Sequence, residues 1–183
     1  MASFQVEGGY HLKGSLEPQG AKNEALEVIC AVLLTSSDVK ITNIPEIRDV
    51  FKLIDILKGL GVQVNRLSKG TYIFNAANIN IDYLRTEDYA MQAATLRGSV
   101  MIIGPLLARF GQGFIPQPGG DKIGRRRIDT HFEGLQRLGA VFSYDEKNRY
   151  YSVSGSRLKG TYMLLEEASV TGTANILMAA VLA

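Results

Sequence analysis

The chain has 183 residues, 46% of them hydrophobic, and a net charge of +2 at pH 7. That leaves room for one sizeable core and no global excess of either sign to wrap nucleic acid or hold the chain on a membrane surface. One cysteine, no signal pattern at the N-terminus and no apolar stretch of about 18 residues exclude a disulfide framework and a spanning helix, so a cytoplasmic chain is expected.

Phe4–Glu17 alternates weakly, Phe4 with Val6 and Tyr10 with Leu12, around Gly8-Gly9, and reads as a two-stranded lead-in. It matches no element of the repeated units C-terminal to it and is expected to belong to a second domain, which divides the chain into 1–21 and 22–183. Asn23–Leu34 is an apolar run long enough for a helix, with Cys30 as a small packed hydrophobe inside it. Val39–Ile44 reads as a strand. Val50, Phe51, Ile54, Leu57 and Leu60 then recur at helical spacing up to Leu60-Gly61, where glycine supplies a left-handed end. Val62–Asn65 and Tyr72–Asn75 form a hairpin across the polar turn Ser68–Gly70.

The same succession begins again at the apolar run Arg97–Ala108. Gly113–Pro116 reads as a strand, and Ile128, Phe132, Leu135 and Leu138 mark an amphipathic helix that ends at Leu138-Gly139. Ala140–Tyr144 and Tyr151–Ser154 come next as a hairpin across Asp145–Asn148. A third apolar run, Gly172–Ala183, starts 75 residues after the second, as the second starts 74 after the first. The units fall at about 22–95, 96–168 and 169–183, each helix–strand–helix–strand–strand after a strand that leads into it. None of the three apolar runs has a convincing polar face. The expected fold is therefore α/β, with the repeated units' first helices buried together and the sheets outside them. The third unit stops inside its apolar helix without a cap, so a truncated piece of a longer protein, its C-terminal part missing, is expected.

The chemistry concentrates in the loop Arg109–Arg127. It holds five glycines and five cations, Arg109, Lys122, Arg125, Arg126 and Arg127, against one acid, Asp121. Glycines let backbone N–H groups approach a ligand, and arginines grip phosphate or carboxylate through paired hydrogen bonds, which makes an anion-binding loop. Composition alone leaves a solvated basic turn open as the alternative, and the spacing of a Walker loop is absent. Lys22-Asn23 and Arg97 fall at the starts of the first two buried helices. A helix N-terminus already favours an anion, and a cation there strengthens the site. His11 and His131 lack ligand spacing, so no metal is expected; His131 stands in the first turn of the helix after the basic loop, where either a substrate contact or a structural role suits it.

Gln19-Gly20-Ala21-Lys22-Asn23, Leu96-Arg97-Gly98-Ser99, the run from Gly104 to Gly111, Pro118-Gly119-Gly120, Ile123-Gly124, Asp129, His131, Gly134-Leu135, Leu138-Gly139-Ala140, Leu158-Lys159-Gly160 and Ala168-Ser169-Val170 together resemble the UDP-N-acetylglucosamine 1-carboxyvinyltransferase family. The resemblance runs in order over essentially the whole chain and corresponds to the family's N-terminal portion. It implies βαβαββ units arranged as the inside-out barrel of enolpyruvyl transferases, with no cofactor. It also implies transfer of the enolpyruvyl group of phosphoenolpyruvate to the 3-hydroxyl of UDP-N-acetylglucosamine, the first committed step of peptidoglycan synthesis. Cell-wall biogenesis, cell shape, cell cycle and cell division come with that step.

By the same resemblance Lys22 and Asn23 contact phosphoenolpyruvate, and Arg97 and Arg126 hold the substrates' anionic groups. The stretches Arg126, Arg127, Ile128, Asp129, Thr130 and Glu167, Ala168, Ser169, Val170 bind the nucleotide sugar, and His131 adjoins the first. Asp121 stands where many members carry cysteine and resembles the aspartate-type variant, in which it is the acid that protonates the methylene carbon. An aspartate there implies fosfomycin resistance, because the drug alkylates the cysteine. Arg127 departs from a common proline and Glu167 from a frequent lysine.

Two rivals stand beside this reading. The sister shikimate 3-phosphate enolpyruvyl transferases tend to carry Ser-Lys-Ser where this chain has Ala21-Lys22-Asn23. A non-catalytic RNA-binding module would need stacking surfaces, and the loop region offers only Phe110 and Phe114.

Overall fold

A computed structural model describes residues 3–116, 128–146 and 150–183. Six α-helices are present among them: α1 (Lys22–Ala31), α2 (Arg48–Gly59), α3 (Glu87–Ala94), α4 (Ile103–Phe110), α5 (Asp129–Arg137) and α6 (Val170–Ala180). The strands are β1 (Val39–Ile41), β2 (Gln63–Ser68), β3 (Thr71–Asn75), β4 (Gln112–Pro116), β5 (Val141–Asp145) and β6 (Tyr150–Ser154). They make two antiparallel three-stranded sheets of matching order, β1-β3-β2 and β4-β6-β5. The repeat read from the sequence is thus present as α1-β1-α2-β2-β3 and α4-β4-α5-β5-β6.

Both amphipathic helices end as expected, with Gly61 at φ 98° and Gly139 at φ 102°, conformations that favour glycine. The hairpin turn at Gly70 has φ 68°. In α2, Val50, Leu53, Ile54 and Leu57 are buried, while Phe51 is 41% exposed because it shares its face with Asp55 and Lys58. Cys30 is buried, and burial raises its thiol pKa, consistent with a packed hydrophobe.

Three elements differ from expectation. Arg97–Ala108 is not one helix but a 3₁₀ stretch, Arg97–Ile102, followed by α4. Pro105 has no N–H to give Met101, and the Gly104 N–H goes to the Asn175 side chain instead of Val100. The 3₁₀ turn Ile81–Arg85 and helix α3 fill a segment where the sequence suggests no element. Their start signals are side-chain caps: Asn80 accepts from the Asp82 N–H and Thr86 from the Tyr89 N–H. Finally, the two-stranded lead-in is absent: residues 3–20 contain no helix or strand, and Phe4, Val6, Tyr10, Leu12 and Leu16 are exposed. A strand requires a hydrogen-bonding neighbour, and none lies against this segment among the described residues.

One continuous core runs from α1 through both sheets to α6. α4 sits at its centre, with Ile103, Gly104, Pro105, Leu106 and Leu107 all buried. α6 packs on α4 and α1 on the 3₁₀ stretch before it, each with an exposed apolar edge, Leu177 on α6 and Val28 on α1. The burial expected of the first helices therefore holds for Ile103–Leu107 of α4 and is one-sided for α1 and α6.

Candidate functional site

Lys22, Asn23 and Arg97, from widely separated stretches of sequence, line one cavity of about 720 Å³. It lies between the starts of α1, α2 and the 3₁₀ stretch. Ala21, Ile47 and Leu96 precede those starts, and none provides a side-chain cap. First-turn N–H groups are thus left for an anion or water.

Sequence reasoning misses five further polar residues in the wall: Arg48, Asp49, Lys52, Thr95 and Thr171. A signal for Arg48 exists. When the Leu60-Gly61 and Leu138-Gly139 ends are superposed, 78 residues apart, Arg48 falls on Arg126, a candidate anion-binding residue of the second unit. The wall contains four cations, Lys22, Arg48, Lys52 and Arg97, against the carboxylate of Asp49. Lys22 Nζ lies 3.0 Å from Asp49 Oδ2, and Lys52 Nζ donates to the Thr95 carbonyl at 3.1 Å. Both contacts are on half-exposed side chains, weak enough to leave the ammonium groups oriented rather than neutralised. A cavity of this size and sign suits a ligand with more than one phosphate or carboxylate.

The second predicted group assembles around the start of α6. Ser169 caps that helix, its Oγ accepting from the Gly172 N–H at 3.1 Å. Thr130 and His131 on α5 are buried and pack against α6, whereas Asp129, Glu167, Ala168 and Val170 are exposed and Ile128 half-buried. His131 has both ring nitrogens engaged, Nδ1 with Asn175 Nδ2 at 3.0 Å and Nε2 with Thr171 Oγ1 at 3.3 Å. Burial, and secondarily the charge of Arg97, lowers its pKa to about 4, so it is neutral near pH 7. Asp121, Arg126 and Arg127, with most of the basic loop, lie outside the described residues.

Arg109, counted with the loop cations, has a different use. Its Nη1 donates to the carbonyls of Leu33 (3.1 Å), Thr35 (3.0 Å) and Ala76 (2.7 Å), tying the second unit to the first. No cluster of His, Cys, Asp or Glu suited to a metal occurs among the described residues. No helix among them is long and apolar enough to cross a membrane.

Comparison with known proteins agrees with the resemblance read from the motifs. The chain is 56% identical over 183 residues to the UDP-N-acetylglucosamine 1-carboxyvinyltransferase of Bacteroides fragilis, covering 100% of this chain and 42% of that protein. It is 57% identical to the protein of the same name from Bacteroides thetaiotaomicron, with the same coverage. The chain thus spans less than half the length of these relatives. Among solved structures, the enolpyruvyl transferase NikO from Streptomyces tendae superposes with a TM-score of 0.72 at 17% identity, covering 94% of this chain and 39% of that one. EPSP synthase from Acinetobacter baumannii gives 0.63 at 18% identity, covering 91% and 37%. At these identities the structures speak to the fold alone, and they agree with helices packed inside small antiparallel sheets. The model of the EPSP synthase (3-phosphoshikimate 1-carboxyvinyltransferase) family matches residues 6–183, and the chain belongs to that family.

Proposed function

We propose that this chain forms the anion-binding part of an enzyme that transfers the enolpyruvyl group of phosphoenolpyruvate to the 3-hydroxyl of UDP-N-acetylglucosamine, releasing phosphate. The observation that carries the reading is the convergence of Lys22, Asn23, Arg97, Arg48 and Lys52 on one cavity at three uncapped helix starts. Both substrates are polyanions. Their tetrahedral adduct would hold phosphate and carboxylate on one carbon, and fixed cations and N–H groups stabilise such a centre most where water is excluded. The names of the relatives favour the nucleotide-sugar acceptor over shikimate 3-phosphate.

Asp121 is the proposed acid toward the methylene carbon. To donate, it must be protonated, and the loop's arginines oppose this until the anionic substrates raise its pKa. Arg126, Arg127, Ile128, Asp129, Thr130 and His131, with Glu167, Ala168, Ser169 and Val170, form the proposed nucleotide-sugar side. A carboxylate in place of a thiol is a poor target for an alkylating epoxide, so fosfomycin resistance, a cytoplasmic location and a role in cell-wall synthesis, cell shape and division complete the reading.

The deciding assay is phosphate release by an enzyme of the relatives' length that carries this chain, with each acceptor in turn. Turnover with UDP-N-acetylglucosamine, lost in Asp121→Asn, is expected. Turnover with shikimate 3-phosphate alone would overturn the acceptor assignment, and full activity in Asp121→Asn the acid role.

A further inference from the structure

A side-chain amide replaces a helix hydrogen bond behind the cavity. Val100 lines the cavity, and its carbonyl accepts from the Ile103 N–H in the 3₁₀ pattern rather than from Gly104. The Gly104 N–H donates instead to Asn175 Oδ1 at 2.7 Å, and Asn175 Nδ2 donates back to the Val100 carbonyl at 3.1 Å. Asn175, on α6, is fully buried, and no other residue type of similar size offers one acceptor and two donors on a planar group.

The chemistry of the partners fixes every orientation. Gly104 N–H is only a donor and Val100 C=O only an acceptor, so Oδ1 and Nδ2 of Asn175 cannot be exchanged. The second Nδ2 hydrogen then meets His131 Nδ1, which must accept. The ring proton is therefore on Nε2, where it faces the hydroxyl of Thr171 at 3.3 Å, and Thr171 is in the cavity wall. A chain of hydrogen bonds thus runs from the turn that begins at Arg97, through Asn175 and His131, to Thr171 in the same cavity wall.

We infer that Asn175 and His131 are positioning residues for the anion-binding cavity: from outside its lining they lock the Arg97–Ile102 turn and the Thr171 hydroxyl into one geometry. The inference rests on the proposed function and deepens it. Three elements from different parts of the chain, the 3₁₀ stretch, α5 and α6, are keyed to one another by the amide. A ligand held by Arg97 is thereby held in register with the start of α6.

The test uses an enzyme of the relatives' length that carries this chain, with Asn175→Ala, Asn175→Asp and, as a control for lost stability, Val153→Ala in the buried middle strand of the second sheet. Ring ¹⁵N shifts should show His131 protonated on Nε2 in the wild type and driven toward a proton on Nδ1 in Asn175→Asp, whose carboxylate can only accept. Amide resonances of residues 97–104 and Thr171 should move in Asn175→Ala. Titration with phosphoenolpyruvate should show binding weakened about tenfold, the equivalent of a hydrogen bond to a charged group, in Asn175→Ala. In Val153→Ala the loss should stay below about twofold, since the two sites share no partner. Equal weakening in Asn175→Ala and Val153→Ala, or a wild-type ring protonated on Nδ1, overturns the inference. A wild-type chain that takes up no phosphoenolpyruvate counts against the proposed function instead, and the positioning claim is then decided by the spectra: unmoved resonances at 97–104 in Asn175→Ala overturn it.

Discussion

Gly104 packs directly against Asn175, so closely that a β-carbon on it would collide with the Asn175 backbone carbonyl as well as its side-chain oxygen. Both positions are on helices, α4 and α6, that meet at the centre of the core. Gly104→Ala should therefore destabilise the chain by roughly 1–3 kcal/mol through overpacking, despite alanine's better helix propensity. Urea unfolding would measure it, and an unchanged or raised midpoint would show that the helices can separate at little cost.

His131 makes stability depend on pH in a defined window. Its folded pKa, about 4, lies below the unfolded value near 6.5, so the neutral ring contributes fully above about pH 6.5. As pH falls, the unfolded chain takes up the proton first. Stability should then drop by up to about 3 kcal/mol between pH 6.5 and 4. His131→Asn should remove this slope from the pH series even where it lowers stability overall.

Glu46 has its own acid limb, set lower. Its carboxylate accepts from Gly70 N–H at 3.0 Å, from Arg66 through Nε at 2.8 Å and Nη2 at 3.0 Å, and from the Tyr72 hydroxyl at 3.0 Å. The backbone N–H and then the guanidinium hold its pKa at about 2. The contribution is present above the unfolded value and vanishes as pH falls through 2. Glu46→Gln should lower the melting temperature at pH 7 and narrow the gap to wild type at pH 2, both read by calorimetry.

Arg109 serves three carbonyls with one nitrogen and packs its guanidinium 4.9 Å from the Phe110 ring centroid. Arg109→Met keeps the stem but strands those carbonyls. A loss of about 2–4 kcal/mol is expected in chemical unfolding, with no change in affinity for phosphoenolpyruvate beyond that of any equally destabilised variant.

Arg48→Met tests the cavity directly. The variant should bind phosphoenolpyruvate about tenfold more weakly at low salt, and the difference should shrink as ionic strength rises, because the lost interaction is a screened charge. Equal affinity at low salt would remove Arg48 from the site.

The parts of the fold legible in the sequence are those specified by neighbours along the chain. Leu60-Gly61 and Leu138-Gly139, the hairpins and the apolar runs follow from period and from the left-handed glycine. α3 is harder to read: its buried face amounts to Tyr89 and Ala93, too little for a period to stand out, and only the Thr86 cap announces it. The break in Arg97–Ala108 is only partly visible: Pro105 stands in the run, but the side chain that takes the Gly104 N–H, Asn175, is 71 residues away. Arg109 is misleading for a similar reason. Its partners are backbone carbonyls, which have no sequence signature. In the cavity, Lys22, Asn23 and Arg97 stand out by repeat and resemblance; Arg48 shows only when the two Leu-Gly ends are superposed, and Lys52 is one more charge on an amphipathic helix.

The sheet order bears on how the chain assembles. In β1-β3-β2 and β4-β6-β5 the middle strand is the last of its three to be synthesised. Val39 finds its partner, Phe74, only after the chain has gone out through α2 and β2 and turned back. A hairpin such as β2–β3 closes in about 1–10 μs once made, whereas the longer closure that brings in β1 carries the larger entropic cost. Each sheet therefore grows in reverse of its sequence, hairpin first and oldest strand last. During synthesis β1 has no strand to pair with, and a nascent chain arrested before Tyr72 would leave open the one strand edge that β3 covers in the finished sheet.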